Sequence, residues 1–285
     1  MKKLLITGAS GFLGGRAVRF YNGKYEIFAP SHSELDITDA KSVCTLFDAV
    51  KPDLVIHSAA ISDVGICEKE PEMSWKINVD GSRNIAAASA RLRSKCLLCS
   101  SDQVYFGSGI KEAHKEDEAV HPANIYGQEK KQAEEECLEA NPSCVILRLS
   151  WMYDTAALHE KEHGDFFRTL ISGLHASSTL SYPVHDIRGI TDVNEVIQNF
   201  GKAWELEGGI YNFGSPNNKN TYETVYAMFT ELGWDTDRLE KNEEAFASNP
   251  RNISMCPNKL NNNGISFSST LDALVRKAKL SLPLA

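Results

Sequence analysis

The sequence of 285 residues has no long hydrophobic run and only seven cysteines, and both facts limit what the protein can be. A membrane-spanning helix needs about 20 apolar residues in succession, and no stretch of that kind is present. The first apolar run ends at Thr7-Gly8, so the start lacks the hydrophobic centre of a signal peptide. An odd number of cysteines without such a signal argues against a disulfide framework. We therefore expect a cytoplasmic protein that has no membrane partner.

Positive charge is also scarce, because 30 Lys and Arg residues stand against 38 Asp and Glu residues, a formal net charge of −8. Nucleic acids are bound by basic surfaces, so we expect no nucleic-acid partner. A metal site is not indicated either. Cys96 and Cys99 resemble a CxxC pair, but they lie in a predicted strand, where residues three apart point to opposite faces. We expect both to fill the core.

Short apolar segments alternate with amphipathic helical patterns through the first half of the chain. The third apolar segment, Asp53–His57, is nearly continuous, which is typical of a parallel strand covered on both faces. The alternation predicts an α/β fold, a doubly wound parallel sheet of the Rossmann type, in a dinucleotide-binding domain of residues 1–150. After Trp151 the pattern changes, and residues 151–285 are predicted to form a smaller C-terminal substrate domain, with some segments returning to the first domain.

Three glycines, spaced three residues apart, follow the first apolar segment: Gly8, Gly11 and Gly14. A helical pattern begins directly behind them. A strand, a tight glycine turn and a helix start form a cradle for a diphosphate, because the turn allows close approach and the helix start offers free N–H groups. Glycine spacing alone also occurs in ordinary turns. The strand before and the helix after favour dinucleotide binding.

The end of the second predicted strand bears on the choice of coenzyme. Many NAD-binding folds place an acidic residue there to bind the adenosine ribose. Here the strand ends at Pro30 and the loop continues Ser31-His32-Ser33-Glu34, with no carboxylate directly after the strand. This favours NADP(H), with NAD(H) as the alternative. Asp36, a little further on, fits a loop-capping residue and an adenine contact equally well.

A tyrosine and a lysine four residues apart, Tyr126 and Lys130, share one face of a predicted helix. A fixed ammonium beside a phenol is expected to lower the phenol pKa, and such a tyrosine exchanges a proton with a substrate oxygen. Ser101, at the end of the fourth predicted strand, is placed to hydrogen-bond the same oxygen. Tyr-x-x-x-Lys pairs commonly decorate helix surfaces, but the glycine turn upstream favours the catalytic interpretation.

The glycine turn, Ser101 and the Tyr126/Lys130 pair together resemble the extended short-chain dehydrogenase/reductases. Several further segments resemble the dTDP-4-dehydrorhamnose reductases within that group: Leu35-Asp36-Ile37-Thr38, Ala59-Ala60, Asn78-Val79-x-Gly81, Ser100-Ser101-Asp102, Arg148-x-x-Trp151-x-Tyr153 and Pro250-Arg251-Asn252. The resemblance covers nearly the whole chain. It implies an oxidoreductase in which NADPH or NADH reduces a nucleotide-linked 4-keto sugar, in the biosynthesis of dTDP-rhamnose or a related sugar.

The resemblance also implies roles for individual residues. Ser101, Tyr126 and Lys130 are implied to be catalytic, and Lys130 also to bind the nicotinamide ribose. The implied coenzyme contacts are Gly8, Ser10, Gly11, Phe12, Leu13, Gly14, Asp36, Ile37, Ala59 and Ala60. The implied substrate contacts are Val64, Asp102, Trp151 and Arg251. A homodimer is a further expectation.

Two positions depart from the family pattern, since Gln103 replaces its usual tyrosine and Gly65 its usual aspartate. Both lie near the sugar site, so the identity of the sugar stays open. Related dehydratases carry a glutamate where Gln103 stands, and an amide cannot act as that acid or base, which disfavours dehydration. Two alternatives remain. One is a nucleotide-sugar epimerase that keeps NAD bound; the other is a non-catalytic subunit similar to that of methionine adenosyltransferase, which also resembles the tail at Arg251-Asn252.

Overall fold

Six parallel strands form the central sheet of the protein. The computed structural model describes residues 1–160, 162, 164–176 and 178–281. Across the sheet, the order is β10-β5-β4-β3-β1-β2, and every neighbouring pair is parallel. These strands are β1 (Lys3–Thr7), β2 (Glu26–Phe28), β3 (Leu54–His57), β4 (Lys95–Ser101), β5 (Val145–Leu149) and β10 (Gly209–Phe213). The predicted doubly wound sheet is confirmed.

Helices cover both faces of this sheet because alternate residues of each strand point to opposite sides. On one face, Leu4 and Ile6 pack with helices α1 (Phe12–Tyr21) and α8 (Val193–Ala203). On the other face, Leu5 packs with helices α2 (Ala40–Val50) and α5 (Gly81–Leu92). Cys96 and Cys99 lie in these two different clusters, which confirms that each fills the core on its own side. The helices of this part are α1 (Phe12–Tyr21), α2 (Ala40–Val50), α3 (Val64–Lys69), α4 (Pro71–Trp75), α5 (Gly81–Leu92), α6 (Ile125–Ala140) and α8 (Val193–Ala203). A π-turn at Lys76–Asp80 joins α4 to α5.

The second half of the chain divides between the two parts of the fold. Helix α8 packs against α1, and strand β10 pairs with β5, so residues 193–213 lie on the main sheet. Helix α10 (Asn258–Asn262) also packs on the main sheet, where Leu260 joins its core. The remaining elements lie around a separate apolar cluster or in small two-stranded sheets. They are β6 (Trp151–Tyr153), α7 (Phe166–His175), β7 (Leu180–Pro183), β8 (Asp186–Ile187), β9 (Ile190–Asp192), α9 (Thr221–Leu232), β11 (Leu239–Asn242), β12 (Arg251–Asn252) and α11 (Thr270–Ser281). A division at residue 150 stays a prediction. Among the described residues, none of these helices has the length and apolar character needed to cross a membrane.

A buried ion pair fixes helix α6 to the sheet. Arg148 on β5 contacts Glu134 on α6 through Nη2–Oε2 at 2.6 Å, and both side chains are almost fully buried. The Ser100 hydroxyl donates to the same carboxylate at 2.5 Å, and Arg148 also donates to the Tyr105 hydroxyl at 2.7 Å. The network thereby joins β4, β5, α6 and the short 3₁₀ turn at Asp102–Tyr105. Helix α6 carries Tyr126, so this network sets its position relative to the end of β4.

Replacing Arg148 by methionine is expected to leave the Glu134 carboxylate buried without its cationic partner. Breaking one side of a buried pair costs about 3–5 kcal/mol, because the remaining charge is uncompensated. Urea unfolding should show a loss of that order in the free energy of unfolding. The matched control is Arg91→Met, which removes a solvent-exposed pair with Asp48; a similar loss in the control would contradict the role given to burial.

Candidate coenzyme and substrate site

A cavity of about 680 Å³ opens at the carboxyl ends of the sheet strands. Strand order reverses between β1 and β3, and ligands of doubly wound sheets bind in the crevice outside such a reversal. Most of the predicted site residues line this cavity: Gly8, Ser10, Gly11, Phe12, Leu13, Gly14, Ala60, Val64, Ser101, Asp102, Tyr126, Lys130, Trp151 and Arg251. The structure therefore brings the glycine turn and the predicted catalytic side chains into one space.

The glycine turn is packed too tightly for side chains at two positions. A Cβ atom on Gly14 would lie 2.3 Å from the Gly8 carbonyl oxygen. A Cβ atom on Gly8 would lie 2.7 Å from the Ala59 nitrogen, and Gly8 also has a φ of 71°, in the left-handed region that favours glycine. These contacts press helix α1 and the end of β3 against the turn. The glycines at these positions are therefore a steric requirement of the cradle.

The start of helix α1 is open to an anion. Its N-cap is Gly11, which has no side chain to accept hydrogen bonds from the first turn of the helix. Uncapped N–H groups and the positive end of the helix dipole attract phosphate groups. The residues present thus fit the diphosphate of a dinucleotide, which would lie over Gly11, Phe12 and Leu13.

A chain of buried hydrogen bonds holds the end of β3 beside the turn. The Ala59 N–H donates to Thr7 Oγ1 at 3.3 Å, and Thr7 Oγ1 lies 2.7 Å from His57 Nδ1. On its other side, His57 Nε2 lies 3.0 Å from Ser82 Oγ, which donates to the Asn78 carbonyl oxygen. Burial lowers the pKa of His57 to about 3. The imidazole is therefore neutral at neutral pH. Because the Ser82 hydroxyl donates its hydrogen to Asn78, His57 Nε2 carries the ring proton and donates to Ser82, and the Thr7 hydroxyl donates to Nδ1.

Ser101, Tyr126 and Lys130 all line one wall of the cavity and are all buried. Ser101 ends β4, while Asn124 caps α6 and so places Tyr126 and Lys130 in its first two turns. The Lys130 ammonium donates to the Cys99 carbonyl oxygen at 3.0 Å and lies 5.7 Å from the centre of the Tyr126 ring. An ammonium has three N–H donors, so the lysine retains donors for a bound ribose.

The pKa of the Tyr126 phenol differs from the sequence prediction. Burial raises the pKa of the Tyr126 phenol well above its usual value, while a hydrogen bond with Ser101 acts in the opposite direction and the nearby Asp102 raises it further. The expectation that Lys130 lowers this pKa is therefore wrong for the protein alone. Lys130 faces the Cys99 carbonyl oxygen, and burial lowers the pKa of its own ammonium. The phenol is protonated, which is the state that donates a proton.

One end of the cavity is formed around a buried ion pair. Arg188 Nη2 lies 3.2 Å from Asp102 Oδ2, and the guanidinium carbon stands 4.9 Å from the Trp151 ring centre. The Arg188 Nε–H is buried without a hydrogen-bond partner among the described residues. Burial raises the pKa of Asp102, whereas Arg188 and Arg251 oppose that change. An orphaned donor of this kind fits a polar ligand that brings its own acceptor.

Gln103 and Arg251 complete this end of the cavity. Asn124 Nδ2 donates to Gln103 Oε1 at 3.0 Å, which fixes the orientation of the glutamine amide. Arg251 is held by a two-pronged contact with Asp186, with N–O distances of 2.7 and 2.9 Å. Both side chains are therefore positioned before any ligand binds.

Three predicted coenzyme contacts lie outside the main cavity. Asp36 and Ile37 line a separate cleft of about 530 Å³. The Asp36 carboxylate accepts hydrogen bonds from the Thr38 N–H and hydroxyl at 2.9 and 2.8 Å. These are the contacts expected of a loop-capping residue. Ala59 lies behind the glycine turn and meets it through its backbone.

Sequence reasoning missed several residues of the cavity. They are Ser62, Cys99, Leu149, Ser150, Met152, His159, Glu162, Gly164, Asp165 and Arg188. Arg188 reaches its partner Asp102 from 86 residues away. No local spacing signals a contact of that separation. Across the described residues, no group of His, Cys, Asp or Glu side chains is arranged to hold a metal ion.

A doubly wound sheet with a glycine turn facing a buried Ser, Tyr and Lys defines an extended short-chain dehydrogenase/reductase. Comparison with known proteins gives the narrower group. The pattern of the family described as the RmlD substrate binding domain matches residues 1–276. The chain belongs to this family.

Individual relatives agree with this placement. A dTDP-4-dehydrorhamnose reductase from Aggregatibacter actinomycetemcomitans is 32% identical over 242 residues, covering 81% of this chain and 79% of that protein. Methionine adenosyltransferase 2 subunit beta from Xenopus laevis is 33% identical over 161 residues, covering 53% of this chain and 47% of that protein. A crystal structure of dTDP-4-dehydrorhamnose reductase from Bacillus anthracis in complex with NADP superposes with a TM-score of 0.86 at 24% identity, covering 99% of this chain and 100% of that chain.

Substituting Gly14 by alanine should abolish coenzyme binding, because the new Cβ would meet the Gly8 carbonyl at 2.3 Å and force the turn apart. Intrinsic fluorescence titration with NADPH measures the loss. The control is Gly201→Ala, a helical position with nothing within 4 Å. That change should stabilise the protein by roughly 0.5–1 kcal/mol and leave binding unchanged. Normal NADPH affinity in Gly14→Ala would contradict the tight-cradle account.

Proposed function

We propose that this protein is an NAD(P)H-dependent reductase of a nucleotide-linked 4-keto sugar, of the dTDP-4-dehydrorhamnose reductase type. NADPH is the favoured coenzyme and NADH the alternative. The observation that carries the proposal is the shared cavity, in which an uncapped helix start lies opposite a buried phenol, hydroxyl and ammonium. Relatives named for this activity and a structural neighbour holding NADP support it.

Residues of the chain itself account for the transfer of a proton to the ketone oxygen. A reduced nicotinamide, when bound, supplies the hydride to the ketone carbon. The Tyr126 phenol, which is protonated at neutral pH, donates its proton to the ketone oxygen as negative charge develops there. The Ser101 hydroxyl donates a hydrogen bond to the same oxygen and stabilises that charge. Lys130 holds the ribose of the coenzyme with the donors that Cys99 leaves free.

The substrate is held at the other end of the cavity. Trp151 is 39% exposed although it is large and aromatic, so its ring offers a stacking surface toward the cavity. Val64 adds apolar surface, and the Asp102 side chain and Arg251 add polar contacts. Gln103 carries an amide at the position where related dehydratases carry a carboxylate, which favours reduction over elimination of water.

The epimerase and regulatory-subunit alternatives make different predictions from a reductase. A reductase consumes one NADPH for each 4-keto sugar and releases the oxidised coenzyme. An epimerase returns the hydride and keeps its coenzyme, and a regulatory subunit oxidises none. Following NADPH absorbance with dTDP-, GDP- and UDP-linked 4-keto sugars therefore separates a reductase from both alternatives, and coenzyme that stays bound through purification would mark the epimerase. Stoichiometric oxidation supports the proposal, whereas none with any of these sugars would overturn it.

Tyr126→Phe is expected to lower kcat by at least about 100-fold, since the general acid is removed while the ring is retained. Coenzyme affinity should not change, because the phenol hydroxyl is not needed to hold the dinucleotide. Steady-state kinetics and NADPH titration measure the two effects separately. The comparison variant is Lys130→Met, for which coenzyme affinity should fall as well. Retention of wild-type turnover in Tyr126→Phe would remove the tyrosine from this role.

A further inference from the structure

Arg16 is a buried arginine in helix α1, one turn after the glycine cradle, and its exposed fraction is 5%. All five of its N–H donors are used. Nε donates to Asp154 at 2.5 Å; Nη1 donates to Glu162 Oε1 at 2.6 Å and to the Phe12 carbonyl oxygen at 2.9 Å. Nη2 donates to Glu162 Oε2 at 3.1 Å and to the Ala156 carbonyl oxygen at 2.7 Å. Arg16 is therefore saturated by the protein.

Four of these five hydrogen bonds go to Asp154, Ala156 and Glu162, which belong to one stretch of chain that crosses over helix α1. We call residues 154–160, 162, 164 and 165 the crossing segment. It leaves β6 and leads to helix α7, whose N-cap is Asp165. Apart from Arg16, its contacts with α1 are few. A Leu158 methyl group lies close over Gly15, and Arg19 donates to the Leu158 carbonyl oxygen at 3.3 Å.

The crossing segment forms one wall of the coenzyme cavity. His159, Glu162, Gly164 and Asp165 line the same space as the glycine turn. Arg16 and Asp154 do not line it. Glu162 thus both lines the cavity and pairs with Arg16, whereas the pair of Arg16 and Asp154 lies outside the cavity lining.

Because all five donors of Arg16 are used, its contacts distinguish between two possible roles, which are binding a phosphate group and positioning the crossing segment. An arginine so close to a diphosphate cradle invites the interpretation that it binds phosphate. A guanidinium has five N–H donors, and here two carboxylates and two carbonyl groups accept all of them. The hydrogen bonds from Arg16 and from the Leu158 N–H hold the pKa of Glu162 below its usual value although burial alone would raise it. The pair is ionised at neutral pH and is already complete.

We propose that Arg16 is a positioning residue that latches the crossing segment over the coenzyme, so that the dinucleotide leaves only when these ion pairs open. This inference rests on the proposed coenzyme site and goes beyond it. Between the described residues, Arg16 donates four of the five hydrogen bonds that join α1 to the segment, and Arg19 donates the fifth. Arg168 of helix α7 also pairs with Glu162, at 3.5 Å. Opening frees the wall without disturbing Ser101, Tyr126 or Lys130, which are carried by other elements.

The experiment compares Arg16→Met with Asp154→Asn. Methionine keeps much of the apolar volume, and asparagine keeps the shape of the aspartate and its bond from the Thr155 N–H. Stopped-flow displacement of NADPH should show dissociation about ten-fold faster or more in Arg16→Met, because the closed state is less populated, and a smaller increase in Asp154→Asn. The rate of hydride transfer in a single turnover with saturating NADPH should stay unchanged in both.

A double variant and a coenzyme-free readout distinguish a latch from general destabilisation. Since both residues act through one contact, the double variant should dissociate NADPH no faster than Arg16→Met, whereas independent damage would add. In the coenzyme-free protein, amide hydrogen exchange across residues 154–160 should rise in both variants. Arg91→Met, which breaks an exposed ion pair elsewhere, should change neither quantity.

Unchanged NADPH dissociation and unchanged exchange in both variants would overturn the latch. If Arg16→Met does not fold, Asp154→Asn decides, since it removes one charge without changing shape. A failure of the proposed function shows itself differently, as wild-type protein that oxidises no NADPH with any 4-keto sugar. A loss of the latch alone leaves that wild-type oxidation intact.

Discussion

The close approach of Gly14 to the carbonyl group of Gly8 is the steric constraint around which the site is arranged. No side chain fits between the two residues, so helix α1 starts immediately over the end of β1. Its free N–H groups then face the crevice where strand order reverses. The same turn presses on the backbone of Ala59 at the end of β3. A change of one methyl group at this point would displace the helix start and the strand end together.

The parallel strands and helix α6 place Ser101, Tyr126 and Lys130 in the same crevice as this turn. Their carboxyl ends share one edge of the sheet, so Ser101 at the end of β4 faces the same crevice as Gly8 at the end of β1. The buried pair of Glu134 and Arg148 then fixes α6, which brings Tyr126 and Lys130 to the wall. Each of these parts is held by packed core or by satisfied buried hydrogen bonds. The arrangement exists before ligands bind, as electrostatic stabilisation of a transition state requires.

Arginines connect the two parts of the fold across the cavity. Arg188, from the second half of the chain, pairs with Asp102, the residue after Ser101. Arg16, from the first half, pairs with Asp154 and Glu162 in the second. Ion pairs of this kind impose a geometry on the cleft while adding little apolar burial.

Local spacing was enough to predict the sheet, the glycine turn and the shared face of Tyr126 and Lys130, because each depends on residues near one another in the chain. The opposite faces of Cys96 and Cys99 followed from the same periodicity. Long-range contacts left no such signal. Arg16 and Glu162 are separated by 146 residues, and β10 returns to the sheet from the second half. The pKa of Tyr126 was predicted in the wrong direction because burial, which sequence spacing does not reveal, is the largest influence on this phenol.

The most direct test of the central claim is transfer of deuterium from NADPH labelled at nicotinamide C4 to a dTDP-linked 4-keto sugar. The claim is that the glycine cradle and the Ser101, Tyr126 and Lys130 wall face one another across a single reaction space. It predicts deuterium at sugar C4 in the product, with one coenzyme oxidised for each sugar reduced. A product without deuterium, or labelled coenzyme recovered unoxidised with the sugar unchanged, would contradict it.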